Sequence, residues 1–222
     1  MKIVVQCAAG KESSAGYMQA KDGRRVMFVA QPQFAPQSHD VIYATPDEKP
    51  DGQVSWRVLL QEYNKNAGNN PLNLYPAYKL YKNEIYRALV NRFGGEGVFV
   101  LSAGWGLIRA DFLTPQYDIT FSSRAEDYKR RSKSAAVKAD GFQDFQMLQD
   151  DGDDSVIFFG GKDYLPLFCN LTEKFRCQRK VFYNSATHPN APGCALEWHN
   201  TKTRTNWHYE CAKDFIEGKI TY

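Results

Sequence analysis

Cysteine is scarce and unpatterned. Its five copies, Cys7, Cys169, Cys177, Cys194 and Cys211, include no Cys-x-x-Cys and none beside a histidine at zinc spacing, which argues against a structural metal or a disulfide framework. The phosphate-loop pattern Gly-x-x-x-x-Gly-Lys-Ser/Thr is absent, and so is Gly-x-Gly-x-x-Gly, so neither ATP nor NAD is expected and the expected cofactor is none. Without a Gly-x-Ser-x-Gly elbow, a serine hydrolase of that type is disfavoured. No apolar run approaches the ~20 residues that cross a bilayer. The opening apolar stretch is too short for a secretory core and lacks a small-residue cleavage site. A soluble, cytoplasmic protein with no membrane partner is the expectation. Charge of one sign is also lacking: the net charge is only +3, which excludes a histone-like binder.

What is present is local asymmetry and a rhythm of apolar runs. Residues 124–138 hold Arg124, Lys129, Arg130, Arg131, Lys133 and Lys138 against only Glu126 and Asp127, whereas residues 140–154 hold six Asp and no Lys or Arg. The basic segment reads either as a solvated helix or as a strip facing phosphates. Strands are predicted at residues 2–7, 25–30, 97–101, 155–159 and 180–184, and helices near 54–66, 77–93, 124–138 and 141–149, with another from about Thr203. The alternation predicts a single α/β domain over 1–222, a mostly parallel central sheet flanked by helices, with insertions near 32–53 and 140–154. With 222 residues, one domain suffices.

Ligands of open α/β sheets bind outside the carboxyl ends of the strands. Four predicted strand ends carry small or glycine-rich loops: Cys7-Ala8-Ala9-Gly10-Lys11, Ser102-Ala103-Gly104-Trp105-Gly106, Gly160-Gly161-Lys162-Asp163-Tyr164 and Ser185-Ala186-Thr187-His188-Pro189. Such loops let backbone N–H groups approach a phosphate, although tight turns need glycine too.

The block VFVLSAGWGLIRADFLTPQYDITF, residues 98–121, resembles the core of the YaaA peroxide-stress proteins and of the glycosylase-like domain of archaeosine synthases. The opening VVQCAAGK is similar to those families as well. The group lies near the uracil-DNA glycosylase superfamily, in which a last strand leads into a His-Pro turn; KVFYNSATHPNAPG, residues 180–193, has that form. The resemblance implies a three-layer sandwich like that of uracil-DNA glycosylase, and a monomer acting on DNA. The first loop departs from the pattern, because CAAGK holds no water-activating Asp or Asn.

What the resemblance implies is a DNA glycosylase that hydrolyses the N-glycosidic bond of a flipped, modified base, hypermodified phage DNA included. Such a reaction needs a carboxylate near the sugar, a donor near the departing base and a water. Asp118, in the resembling Tyr-Asp block, is the first candidate carboxylate and Asp163 the reserve; His188 would donate to the base, and Lys11 would meet phosphate or the leaving group. Trp105, Tyr117 and Phe121 would stack on the base, and the amide of Asn184 would read its edge. Ser13, Ser102, Gly104, Lys162, Arg130, Arg131, Arg204, Asn206 and His208 would contact DNA, the last three at a helix N-terminus. Each has a plain structural alternative: a capping Asp, a turn histidine, core aromatics, a solvated lysine. Two other functions fit the same loops: a non-catalytic DNA-binding stress-response protein, and an enzyme that processes the N-ribosyl bond of free nucleosides or nucleotides.

Overall fold

The computed structural model describes residues 1–66, 68–132, 141–150, 152, 154–201, 203 and 205–220. Its centre is a seven-stranded sheet. Strand β1 (Lys2–Gln6) opens the chain. A small sheet follows, in which β2 (Met18–Gln19) pairs antiparallel with β3 (Arg25–Phe28), and β3 parallel with β4 (Val41–Ala44). Helix α1 (Trp56–Lys65), strand β5 (Tyr75–Pro76), and helices α2 (Ala77–Leu80) and α3 (Ile85–Phe93) lead to β6 (Val98–Ser102). Strand β7 (Gly106–Arg109) reverses antiparallel along β6, and β8 (Leu113–Thr114) pairs with β5. The chain ends with β9 (Phe145–Gln146), β10 (Val156–Phe159), α4 (Leu165–Leu171), β11 (Arg179–Tyr183), β12 (Ala195–Trp198) and α5 (Trp207–Ile216).

The large sheet runs β12-β11-β10-β1-β6-β7-β9, and the first five strands are mutually parallel. Their inner members are continuous apolar runs because both faces are covered. Phe158 stacks on Phe168 of α4 with centroids 4.5 Å apart, while the next residue, Phe159, packs 5.5 Å from Phe215 of α5. Successive side chains of a strand point to opposite faces, so α4 and α5 cover opposite sides of β10. Helix α3 packs against α5, β1 and β6. The architecture is mixed α/β with a large, mostly parallel central sheet.

Several expected elements differ. The helix expected over 77–93 is broken after Leu80, because the chain there pairs with the first loop: Glu12 N–H donates to the Leu80 carbonyl at 2.8 Å and Lys11 bridges Tyr81. Residues 141–149 contain strand β9 in place of a helix, fixed by Phe145 N–H to the Trp105 carbonyl and Met147 N–H to the Leu107 carbonyl, both 2.9 Å. The expected helix from 124 is a single 3-10 turn, Asp127–Lys129, followed by extended Arg130, whose backbone bridges Thr120; positions 133–138 lie outside the described residues. Helix α5 begins at Trp207, four residues later than Thr203. The connection 32–53 carries β4 and a 3-10 turn.

The segment Ser102-Ala103-Gly104-Trp105-Gly106 is a buried hairpin turn between β6 and β7, not a ligand loop. Gly106 has φ +83 and sits against Asp144 and Phe145, where an added Cβ would fall 2.6 Å from the Asp144 Cβ. A buried turn must satisfy its carbonyls. Two buried guanidiniums do so: Arg131 donates to Ala103 O at 2.9 Å, and Arg57 to Gly104 O and Trp105 O at 3.0 and 3.1 Å. Each is bidentate to a carboxylate, Arg131 to Asp144 (2.8 and 2.7 Å) and Arg57 to Asp47 (2.7 and 2.9 Å). Arg131 also stacks 4.0 Å from the Phe142 ring. It is therefore a structural cation and not the expected phosphate contact. Removing one partner of a buried pair strands the other charge. Arg131→Met is expected to cost about 3–5 kcal/mol in urea unfolding, whereas Arg130→Ala, at a half-exposed pair with Asp127, should cost under ~1 kcal/mol.

Candidate active site

The carboxyl ends of four parallel strands open into one groove of about 1340 Å³. β1 contributes Gln6 and Cys7, β10 leads into Gly160 and Gly161, β11 into Asn184 and Ser185, and β12 ends at Trp198. The start of α5 closes one side with Asn206, Trp207, His208 and Tyr209, and Thr120 and Ser122 close another. Glycine is required at 160 because a Cβ there would lie 2.2 Å from the Phe158 ring. The neighbouring amide of Gly161 donates to Gln6 Oε1 at 2.6 Å, joining the β10 loop to the end of β1.

Three of the four expected loops converge here; the Ser102–Gly106 turn does not. Among the described residues, Asp163 is the one carboxylate in the groove wall, and Lys82 and Lys162 are its exposed cations. Asn184 lies in the wall and its amide reaches Thr201 Oγ1 at 3.3 Å. Asn206 stands at the mouth in a left-handed conformation, φ 61, immediately before α5. His208 lines the groove while only 4% exposed, and its Nε2 is buried without a hydrogen-bond partner. Burial drives its pKa down to about 4, so the ring is neutral at pH 7.

The remaining expected site residues fall elsewhere. Asp118 is not in the groove wall. Its carboxylate pairs with Lys129 at 2.8 Å and its amide with Phe28 O at 2.7 Å, while its neighbours Thr120 and Ser122 reach the groove. His188 is exposed at the rim, edge-on to Tyr183 at 5.2 Å, with Pro189 forming the wall beside it. Ser13 is exposed away from the wall. Trp105, Tyr117 and Phe121 are core residues and offer no face to a base, contrary to the expectation that they stack on one. Ser102 and Gly104 are buried for the same reason: the hairpin turn sits in the interior. The Ser102 hydroxyl accepts from the amides of Gly104 and Trp105 at 3.2 and 3.1 Å. Lys129 is held by Asp118 and Glu126 and Arg130 by Asp127, so much of the basic segment is neutralised by its own neighbours. Arg204 lies outside the described residues.

Beneath the groove lies a polar layer built of phenols. Tyr117 Oη meets Tyr81 Oη at 2.8 Å and Ser102 Oγ at 2.9 Å, Cys7 Sγ meets Tyr164 Oη at 3.1 Å, and Tyr86 Oη meets Tyr209 Oη at 2.9 Å. Burial pushes the Tyr81, Tyr117 and Tyr164 hydroxyls well above the usual phenol range, so they remain neutral donors. The Lys11 ammonium sits 4.1 Å from the Tyr117 ring centre, and burial lowers its pKa from the usual lysine value. It braces the floor and does not line the groove.

Trp198 went unrecognised as a wall residue. It is 56% exposed at the end of an edge strand. The four-residue run Ala-Leu-Glu-Trp alternates, which is a strand signal, but it is too short to stand out after a proline-rich loop. Cys7 and Tyr164 stand in two of the expected strand-end loops, and both reach the groove wall.

The buried imidazole makes a pH prediction. Its folded pKa, about 4, lies below the ordinary 6.5, so above pH 6.5 both folded and unfolded forms are neutral and nothing is lost. As pH falls from 6.5 towards 4, the unfolded chain takes up a proton that the folded chain refuses. His208 should therefore remove about 3 kcal/mol of stability over that window. Denaturant titrations at stepped pH should show this slope in the native chain and its loss in His208→Phe. No protein-family model matches the chain, and no curated protein matches it in sequence.

Proposed function

We propose that the groove receives a nucleotide turned out of DNA and hydrolyses its N-glycosidic bond, releasing a modified base. The observation that carries this reading is the coincidence, at the carboxyl ends of parallel strands, of one carboxylate, Asp163, and one buried neutral imidazole, His208, whose Nε2 lacks a partner. Cleavage builds positive charge on the sugar and negative charge on the base. Asp163 takes the role first assigned to Asp118: it stabilises the sugar cation and accepts a proton from the attacking water. His208 replaces His188 as donor to the base, in the tautomer that places the proton on Nε2. A neutral imidazole suits that role, since it gives a hydrogen bond to a developing anion at pH 7. Trp198 supplies the exposed ring on which a base stacks, Asn184 an amide for its edge, and Lys82 and Lys162 the phosphate contacts. Helices on both faces of the sheet support the finer expectation of a sandwich like that of uracil-DNA glycosylase.

A second reading is favoured by one observation. The cations expected to grip a DNA backbone, Lys129, Arg130 and Arg131, are engaged by Asp118, Asp127 and Asp144. A groove left with few free cations suits a free nucleoside or nucleotide, cleaved at the same bond by the same pair.

Oligonucleotides carrying a panel of modified bases, hypermodified phage DNA included, should yield alkali-labile abasic sites with the native chain. Asp163→Asn should lower the rate by about 10²-fold or more without changing the thermal midpoint, and Asp118→Asn should leave it near native. Cleavage of mononucleosides but not of oligonucleotides selects the second reading. Salt-sensitive DNA binding without product on any substrate removes both.

A further inference from the structure

A second cavity, about 830 Å³, adjoins the groove and shares Lys162, Leu165, Ser185 and Pro189 with it. From that rim it follows α4, past Pro166 and Cys169, to Arg179 and Gly193. Arg179 opens β11, and the other end of that strand, Tyr183, lies in the groove wall. At a strand's rise per residue the two ends are about 13 Å apart. The cavity thus has one end at the groove and the other at a guanidinium. Between them its wall is mostly apolar, with Leu165, Pro166, Cys169, Pro189 and Pro192.

That guanidinium differs from the others of its kind. Among the described residues three arginines are buried: Arg57, Arg131 and Arg179, the last only 7% exposed. Arg57 and Arg131 each grip a carboxylate through two bonds, Asp47 and Asp144 respectively. Arg179 has no carboxylate among the described residues. It donates to Thr172 Oγ1 at 3.1 Å, to Gly193 O at 3.2 Å and to Pro192 O at 3.4 Å, and its Nε is buried without a hydrogen-bond partner. The Thr172 hydroxyl gives its own proton to Phe168 O at 2.8 Å, so all three acceptors are neutral. Arginine keeps its charge inside a protein, and a buried charge facing only neutral oxygens is uncompensated. The backbone nevertheless makes room for it: Gly193 has φ +72, and a Cβ there would fall 2.3 Å from the Arg179 Nη2.

We infer that the second cavity is a binding site for an amphipathic monoanion, an organic acid whose apolar body lies along α4 and whose acid group meets Arg179. Apolar contact with Leu165, Pro166 and Cys169 would hold a neutral chain equally well; the guanidinium is what selects the anion. Its burial strengthens that pairing, because little water screens it. Glu173 is the one carboxylate on the wall among the described residues, and it is exposed; it disfavours a second negative charge on the ligand. Two sources share this chemistry. One is a free organic acid. The other is an acid-terminated substituent on a base held in the groove, threaded past Lys162 and Ser185. The site stands without the reading of the groove, and only the second source rests on it.

The probe is octanoate, with 1-octanol as its neutral counterpart. Calorimetric titration of the native chain should give octanoate an affinity about 10-fold or more above that of 1-octanol. Backbone amide shifts in heteronuclear NMR should centre on Cys169, Arg179 and Gly193. Glu173→Gln should tighten octanoate by about 2–5-fold and leave 1-octanol unchanged. Arg179→Met should bring octanoate down to the 1-octanol value; where that variant fails to fold, the native shifts and Glu173→Gln decide. Equal affinity for acid and alcohol, shifts confined to another part of the chain, or no octanoate binding at millimolar concentration would overturn the inference. With oligonucleotides that bear a carboxylate-terminated base, competition by octanoate assigns the acid group to the substrate, and simultaneous binding assigns it to a free ligand. Failure of every DNA in the cleavage assay leaves the octanoate result intact, so the two readings fail separately.

Discussion

A parallel ladder is stable only when both of its faces are dry, and that condition organises this chain. β1 lies between β10 and β6, pairing Ile3 with Ile157 on one side and with Val98 on the other. Because each parallel neighbour must be reached by a crossover, helices are laid on both faces, and the five mutually parallel strands are forced to end at the same rim. The groove is the geometric consequence. Gln6, Gly160 and Asn184 are neighbours there although they are scattered along the sequence. The hydrogen bond from Gly161 N–H to Gln6 Oε1 shows the rim tied together by side chain as well as by strand order.

The features of the fold legible in the sequence were those set by local pattern. The runs GVFVL, SVIFF and KVFYN are apolar without alternation, and each became an inner or near-inner strand of the large sheet. The features that were not legible depend on distant partners. The turn at Gly104 reads the same whether a helix or a returning strand follows; the outcome was set by Arg57 and Arg131 arriving from elsewhere to satisfy its carbonyls. The segment around Phe145 has an ambiguous period, and pairing with β7 decided it. The expected long helix over 77–93 gave way because the backbone of Leu80, Tyr81 and Lys82 holds the first loop.

The candidate site divides along a related line. Lys162, Asn184, Asn206 and His208 reached the groove because they lie next to strand ends or a helix start, positions that the sequence marks by itself. Trp105, Tyr117 and Phe121 did not, because an aromatic residue carries no local mark separating a pocket wall from a core filler. Arg131 shows the same limit for charge. A cluster of cations in sequence says nothing of whether Asp144 or Asp118 will turn inward to meet it. The acidic stretch that seemed to contrast with the basic one in fact supplies the counterion for Arg131.

The chemistry proposed for the groove rests on a floor of buried phenols. Phenols at 81, 117 and 164, pushed up by burial, remain protonated, and they hold polar hydrogens below the groove without adding charge. In such surroundings a single carboxylate and a neutral imidazole act more strongly than they would in water, because few mobile dipoles oppose them. The second cavity shows the same economy of charge: Arg179 is buried in its wall and donates to the neutral oxygens of Thr172, Pro192 and Gly193.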